Sequence, residues 1–170
     1  QMALLPNKRI DYITIEPRDR ALGFVASSVE EQYSSLTLKD IKNHVSVLLA
    51  GREAEKLFAG SLDGVSLGAS SDLSKATSLL YRAICECGLG EGLPPINTQV
   101  AKQYIDSKFS DYEQTIKKII LECEDITARV LMNNLDTHER FTKYLYEKES
   151  LIHSEISDFF KDVNVHGATA

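Results

Sequence analysis

The chain has 170 residues, 43% of them apolar and 26% charged, which suits one globular domain or a tight pair of subdomains that buries a core without disulfides or a structural metal. Its formal net charge of −6 argues against a nucleic-acid partner, which calls for clustered Lys and Arg. No apolar run approaches the roughly 20 residues that span a bilayer, and Gln1-Met2-Ala3-Leu4-Leu5 is too short for the apolar region of a signal peptide.

The first thirty residues read as strand and loop. Ile10 to Ile15 is β-branched and aromatic and stops at Pro17. Ala21 to Ala26 is a second short strand, with Gly23 inside it, a residue that marks close approach by another backbone. Thr37 and Asp40 form a capping pair, and Ile41, Val45, Leu48 and Leu49 follow at helical spacing, so a helix runs to about Phe58 and stops near Gly60. Ser61 to Ser70 is a loop rich in Gly and Ser. A second helix opens at Ser70 or Ser71, places Asp72 in its first turn, and sets Leu73, Ala76, Leu80, Ala83 and Ile84 on one face, with Gly88 as the residue past its end.

Gly88 to Asn97 holds three Gly and two Pro and is the best internal boundary, dividing the chain into 1–97 and 98–170. Beyond it a long helix is predicted from about Asp106 to Asn134. Asp136 with Glu139 caps another, to about Glu149, and Ser154 starts a short last one through Phe160. The tail from Asn164 to Ala170 reads as frayed. The expected fold is mainly α, with a small N-terminal β-sheet and a C-terminal helical bundle.

The residues alone offer little catalytic machinery. The histidines are His44, His138, His153 and His166, none paired at metal-ligand spacing, and each reads as a surface or capping residue. His138-Glu139 begins like H-E-x-x-H, but Thr142 stands where the second His would be. There is no G-x-x-x-x-G-K-[ST] phosphate loop. Cys85, Cys87 and Cys123 have no framework spacing and read as buried or partly buried thiols outside any disulfide, suited to a reducing compartment. The most distinctive stretch, Gly68 to Thr77, reads on spacing alone as a loop, a Ser N-cap and an acidic residue facing the helix dipole.

Five stretches together say more. Ile13 to Gly23 looks like V-T-I-x-P-R-G-x-A-L-G, Gly51 to Phe58 is similar to G-R-x-A-E-E, and Gly68 to Thr77 matches G-A-S-N-D-L-x-K-A-T. Cys87 to Leu93 is similar to Y-G-M-S-x-x-L-G, and Leu145 to Leu151 with Glu155-Ile156 looks like L-x-x-K-E-T-L…E-I. In this order the five resemble the peptidase M41 domain of the FtsH family of ATP-dependent zinc metalloproteases, along nearly the whole chain. Asp19, Lys56, Leu67 and Ser71 depart from that pattern, standing where the family has Gly, Glu, Thr and Asn.

The resemblance implies a set of expectations. In that family an H-E-x-x-H helix supplies two zinc-binding His and a Glu that acts as general base on the metal-bound water. The Asp of G-A-S-N-D is the third zinc ligand, a chemistry zinc supports by lowering the pKa of its water. Carried over, Asp72 is the metal ligand, and Glu55 resembles an acid standing behind the ligands, the alternative being a helix-surface carboxylate near Arg52. Ala21, Leu22, Gly23, Phe24 and Val25 resemble an edge strand that binds substrate polypeptide by backbone pairing beside the cleft. The H-E-x-x-H itself is expected immediately upstream of Gln1, the chain being read as part of a longer protein, so that residues 1–97 are a peptidase core and 98–170 a helical subdomain. The implied parent is a homo-hexamer with an AAA+ module that binds ATP and magnesium, acting in membrane protein quality control. It has transmembrane segments outside this chain and sits at a bacterial inner membrane with this domain on the cytoplasmic side, or alternatively at an organellar membrane. The other reading is a non-catalytic M41-like domain with a structural or regulatory role in such a ring.

Overall fold

A computed structural model describes residues 1–17, 23–27, 36–97 and 109–168. In chain order it has strands β1 (Tyr12–Thr14) and β2 (Phe24–Ala26), helix α1 (Leu38–Ala59), two 3-10 turns (Leu62–Gly64 and Leu67–Ala69), and helix α2 (Ser70–Tyr81), which continues as a π-helical segment (Arg82–Glu86). Helix α3 (Phe109–Asn133), helix α4 (Leu135–Lys148), strand β3 (Ser150–Ile152) and helix α5 (His153–Phe160) follow. The fold is mainly α with a small antiparallel sheet, as the periodicities predict. It forms two compact units, Gln1–Gln32 with Arg129–Ala170, and Tyr33–Ala128. The Gly- and Pro-rich stretch Gly88 to Asn97 lies inside the second of them.

The Tyr33–Ala128 unit is built on α1. Thr37 caps it reciprocally: Asp40 N donates to Thr37 Oγ1 at 3.3 Å, and Thr37 N donates to Asp40 Oδ2 at 2.9 Å. The Thr37 contacts hold the Asp40 carboxyl below its ordinary range. Gly60 ends the helix at φ 70°, a conformation glycine adopts without cost, and its N–H donates to Lys56 O. Ile41, Val45 and Leu49 on α1 pack with Ala76, Leu80, Ala83 and Ile84 from α2 and its extension, and with Tyr112, Ile119 and Cys123 from α3. Leu80, Ile84 and Val45 have no exposed surface, and burying such a side chain contributes about 1.5–3 kcal/mol.

A polar clasp runs through this core. Buried Thr127 donates to Ser46 O at 3.0 Å and to Cys123 O at 2.7 Å, and Ser46 Oγ donates to Cys123 O at 3.3 Å. Small side chains at these positions let α1 and α3 come together while their hydroxyls stay satisfied. His44, read from the sequence as a surface or capping residue, is buried here with Nδ1 2.7 Å from Asp40 O. It falls on the helix face that carries Ile41 and Val45, so packing overrides its polarity.

The other unit is closed by a sheet of order β2-β1-β3, both pairings antiparallel. Ile13 stands opposite Val25 on one side and Leu151 on the other. Ile10, Ile13, Leu151 and Ile156 form the core, with Phe141, Tyr144, Leu145 and Phe160 packed against it. Thr14 is buried as well, its hydroxyl within 2.8 Å of Ser150 Oγ and donating to Glu149 O at 3.3 Å.

Several expectations change here. The sheet is not purely N-terminal, because β3 comes from residues 150–152. Asp136 lies in the first turn of α4 and Asn134 is the residue at its start, with no side-chain cap. The Asn134 side chain is spent elsewhere, accepting from His166 N at 2.8 Å and donating to His166 O at 2.7 Å. That pair ties down the tail at His166, where fraying was expected. Helix α5 starts at His153, with Glu155 Oε2 accepting from Ile152 N at 3.1 Å. Cys85 and Cys123 are buried as expected, but Cys87, at the end of the π-helical segment, is exposed.

Candidate functional site

Asp72 stands in the first turn of α2. No serine side chain caps this helix. Ala69 is the residue before it, and the Ser70 N–H donates to Leu67 O, so the second 3-10 turn feeds directly into the helix. The expected Ser N-cap at 70 or 71 is therefore replaced by a continuous winding of the chain. The Asp72 side chain is 44% exposed, with Oδ1 3.2 Å from Lys75 Nζ. An exposed pair of this kind adds little to stability, so the carboxylate is accessible to a stronger electrophile than an ammonium.

Glu55 lies one turn before the end of α1. Its carboxylate takes two hydrogen bonds from a single residue: Oε2 accepts from Ser66 N at 2.7 Å, and Oε1 accepts from Ser66 Oγ at 2.9 Å. Those two bonds hold the carboxyl below its ordinary range. Arg52, the alternative partner, turns instead to Glu53 at 2.9 Å and Glu124 at 3.3 Å. Glu53 is 5% exposed and also meets Lys56 Nζ at 3.3 Å, so its charge is compensated twice. Ser66, which the sequence reading did not single out, is the residue that links Glu55 to the approach of Asp72. Its trace in the sequence is the G-x-S-x-G spacing of Gly64-Val65-Ser66-Leu67-Gly68, which here follows a 3-10 turn and not a strand.

Among the described residues no group of three His, Cys, Asp or Glu side chains is placed to hold a metal ion. Zinc in a catalytic centre takes three protein ligands and leaves one position for water. Asp72 fits as one such ligand, an accessible carboxylate at the head of a helix, but the described residues do not form a zinc centre by themselves. An apolar groove of about 460 Å³ lies elsewhere in the same unit, lined by Tyr81, Cys85, Tyr112, Ile116, Ile120 and Leu121 among others. Neither Asp72 nor Glu55 lines it.

The expected edge strand belongs to the unit with the sheet. Ala21 and Leu22 lie outside the described residues. Among the described residues the strand spans Phe24–Ala26, with Gly23 preceding it. Gly23 is required by space: a Cβ there would stand 2.6 Å from Thr14 O. Among the described residues β2 is at the edge of the three-stranded sheet, and Phe24 and Val25 are 40% and 54% exposed. Such an edge offers unpaired backbone groups and accessible apolar side chains to an extended chain.

The sequence pattern of peptidase family M41 matches residues 2–159. The chain is 29% identical over 155 residues to the ATP-dependent zinc metalloprotease FtsH 2 of a Thermoanaerobacter species, a match covering 91% of this chain and 29% of the relative. It is 30% identical over 173 residues to the ATP-dependent zinc metalloprotease FtsH 1 of Bdellovibrio bacteriovorus, covering 94% and 25%. A third relative, the ATP-dependent zinc metalloprotease FtsH of Nitrosococcus oceani, is 30% identical over 164 residues, covering 89% and 25%. The chain spans between a quarter and a third of the length of these relatives.

Proposed function

The chain belongs to peptidase family M41, and from that premise we propose that it is the peptidase domain of an ATP-dependent zinc metalloendopeptidase. In this reading Asp72 is the carboxylate ligand that residues 1–170 contribute to a catalytic zinc. Two His ligands and a glutamate base come from an H-E-x-x-H segment, which the 170-residue sequence does not contain. When bound, the zinc would supply an activated water and polarise a peptide carbonyl.

The remaining features fit the same reading. The exposed edge of β2 would hold a stretched polypeptide by backbone pairing, a mode that reads few side chains and suits a protease of broad sequence preference. The parent is proposed as a homo-hexamer that degrades membrane and soluble proteins processively, driven by an AAA+ module that binds ATP and magnesium. It is anchored at a bacterial inner membrane, or an organellar one, through segments outside this chain. No helix among the described residues is long and apolar enough to cross a membrane.

The observation that carries the proposal is the placement of Asp72: an accessible carboxylate in the first turn of α2, inside the span that matches the family. Its test restores about thirty residues upstream of Gln1 and measures zinc content and casein cleavage. Wild type is expected to bind zinc and cleave casein, and Asp72→Ala to do neither. Equal zinc in wild type and Asp72→Ala removes Asp72 from the ligand set. An upstream segment without H-E-x-x-H, together with no zinc, makes the chain a non-catalytic member that shapes a ring.

A further inference from the structure

The approach to Asp72 is held differently from the rest of its unit. Neither 3-10 turn, Leu62–Gly64 or Leu67–Ala69, contains a buried residue. Leu67, the apolar residue best placed to pin the second turn, is 91% exposed. The packing that fixes the body of α2 therefore stops before the helix entrance. What ties the second turn to α1 is polar. Ser66 gives both its N–H and its hydroxyl to the Glu55 carboxylate, and Ser66 Oγ in turn accepts from Gly68 N at 3.2 Å. Hydrogen bonds onto an ionised carboxylate are the stronger kind.

The position of Gly68 follows from the same arrangement. A Cβ there would stand 3.1 Å from Ser66 Oγ, tighter than ordinary contact, and would press on the hydroxyl that bonds Glu55. The turn then passes its last residue directly to α2, because Ser70 N–H donates to Leu67 O. Two residues on is Asp72. No separate cap resets the helix between Ser66 and Asp72, so where Ser66 is held decides where the Asp72 carboxylate stands.

We infer that Glu55 and Ser66 are positioning residues: together they latch the Ser66–Ala69 turn to α1 and so fix the Asp72 carboxylate in place. Glu55 acts through Ser66 and makes no bond to Asp72. The consequence for catalysis rests on the reading of Asp72 as a zinc ligand, whereas the latch itself does not. Partners behind a metal ligand characteristically change metal affinity by about 10–100-fold when removed.

The experiment uses Glu55→Gln, Ser66→Ala and Ser66→Thr, each in the 170-residue chain and in the longer protein with its upstream residues. In the 170-residue chain, amide exchange at Ser66 and Gly68 is expected to quicken about tenfold in Glu55→Gln and in Ser66→Ala, the scale of one lost charge-assisted hydrogen bond. The Leu80 amide stays as in wild type. The double variant gives no more than either single one, and Ser66→Thr, which keeps the hydroxyl, behaves as wild type. In the longer protein the first two variants weaken zinc binding about tenfold or more at unchanged melting temperature, and Ser66→Thr restores it. Unchanged exchange overturns the latch. So does unchanged zinc affinity in a protein where Asp72→Ala abolishes binding. If Asp72→Ala leaves zinc unaffected, the ligand reading fails, and exchange at Ser66 and Gly68 alone decides the latch. Should Glu55→Gln not fold, Ser66→Ala against Ser66→Thr decides between the same outcomes.

Discussion

At its C-terminal end α2 carries Leu80, which has no exposed surface and packs with Val45 and Leu49 of α1. At its entrance the same helix follows two turns without a buried residue, fastened by the Glu55 carboxylate. One end is held by area removed from water, the other by a few directional bonds. The two respond to different perturbations. Packing is non-directional and resists small changes in angle poorly, but it sets most of the stability. Hydrogen bonds add little net stability but fix geometry. A ligand that must be placed accurately, and that need not help the chain fold, belongs at the second kind of end, among the elements drawn from the less stable part of a structure.

The contrast can be broken at three strengths. The largest effect is expected from Leu80→Ala, which removes a fully buried side chain and should cost about 2–5 kcal/mol in chemical denaturation. A loss under about 1 kcal/mol would mean that the helix body is not held by packing. Far smaller is Leu67→Ser: the side chain is 91% exposed, so stability should change by less than about 0.5 kcal/mol. A larger loss would reveal an apolar anchor for the turn and weaken the contrast.

The most local effect is on pH. Glu55 is held below its ordinary value of 4.5 by the Ser66 bonds, so the folded state favours the ionised form. The latch is therefore fully present above the ordinary carboxylate range and is lost as pH falls through the lower folded value. An NMR titration should find the Ser66 and Gly68 amide shifts flat from pH 7 to 5, moving only below 4.5 with the Glu55 carboxyl, while Leu80 stays still. A midpoint at or above 4.5 would show that the two bonds do not favour the ionised carboxylate.

The first helix was legible because a local signal marks both of its ends. Thr37 with Asp40 starts α1 and Gly60 stops it, as read. What was not legible depends on partners far apart in sequence. β3 has three residues, too few for an alternation to show, and becomes a strand only because β1 pairs with it. His44 looked like a surface residue because its type is polar, yet its place on the Ile41–Val45 face buries it. For the candidate site, spacing alone made Asp72 a first-turn acid, and it took the resemblance to give it a role. The Glu55–Ser66 pair was out of reach for another reason. Its members are eleven residues apart, across a helix end and one 3-10 turn, with no fixed period relating them.

The pairing of β1 with β3 also orders events during synthesis. Tyr12 meets Ile152 across the sheet, so the first strand emerges long before its partner exists. Every residue of the Tyr33–Ala128 unit leaves the ribosome in between. That unit can gather its core from neighbouring helices while β1 waits with one edge unpaired. Pairings between distant segments are the slow ones in folding, because a long loop must close before any contact rewards it. The sheet, including the strand proposed to bind substrate, is completed only once residues 150–152 have emerged.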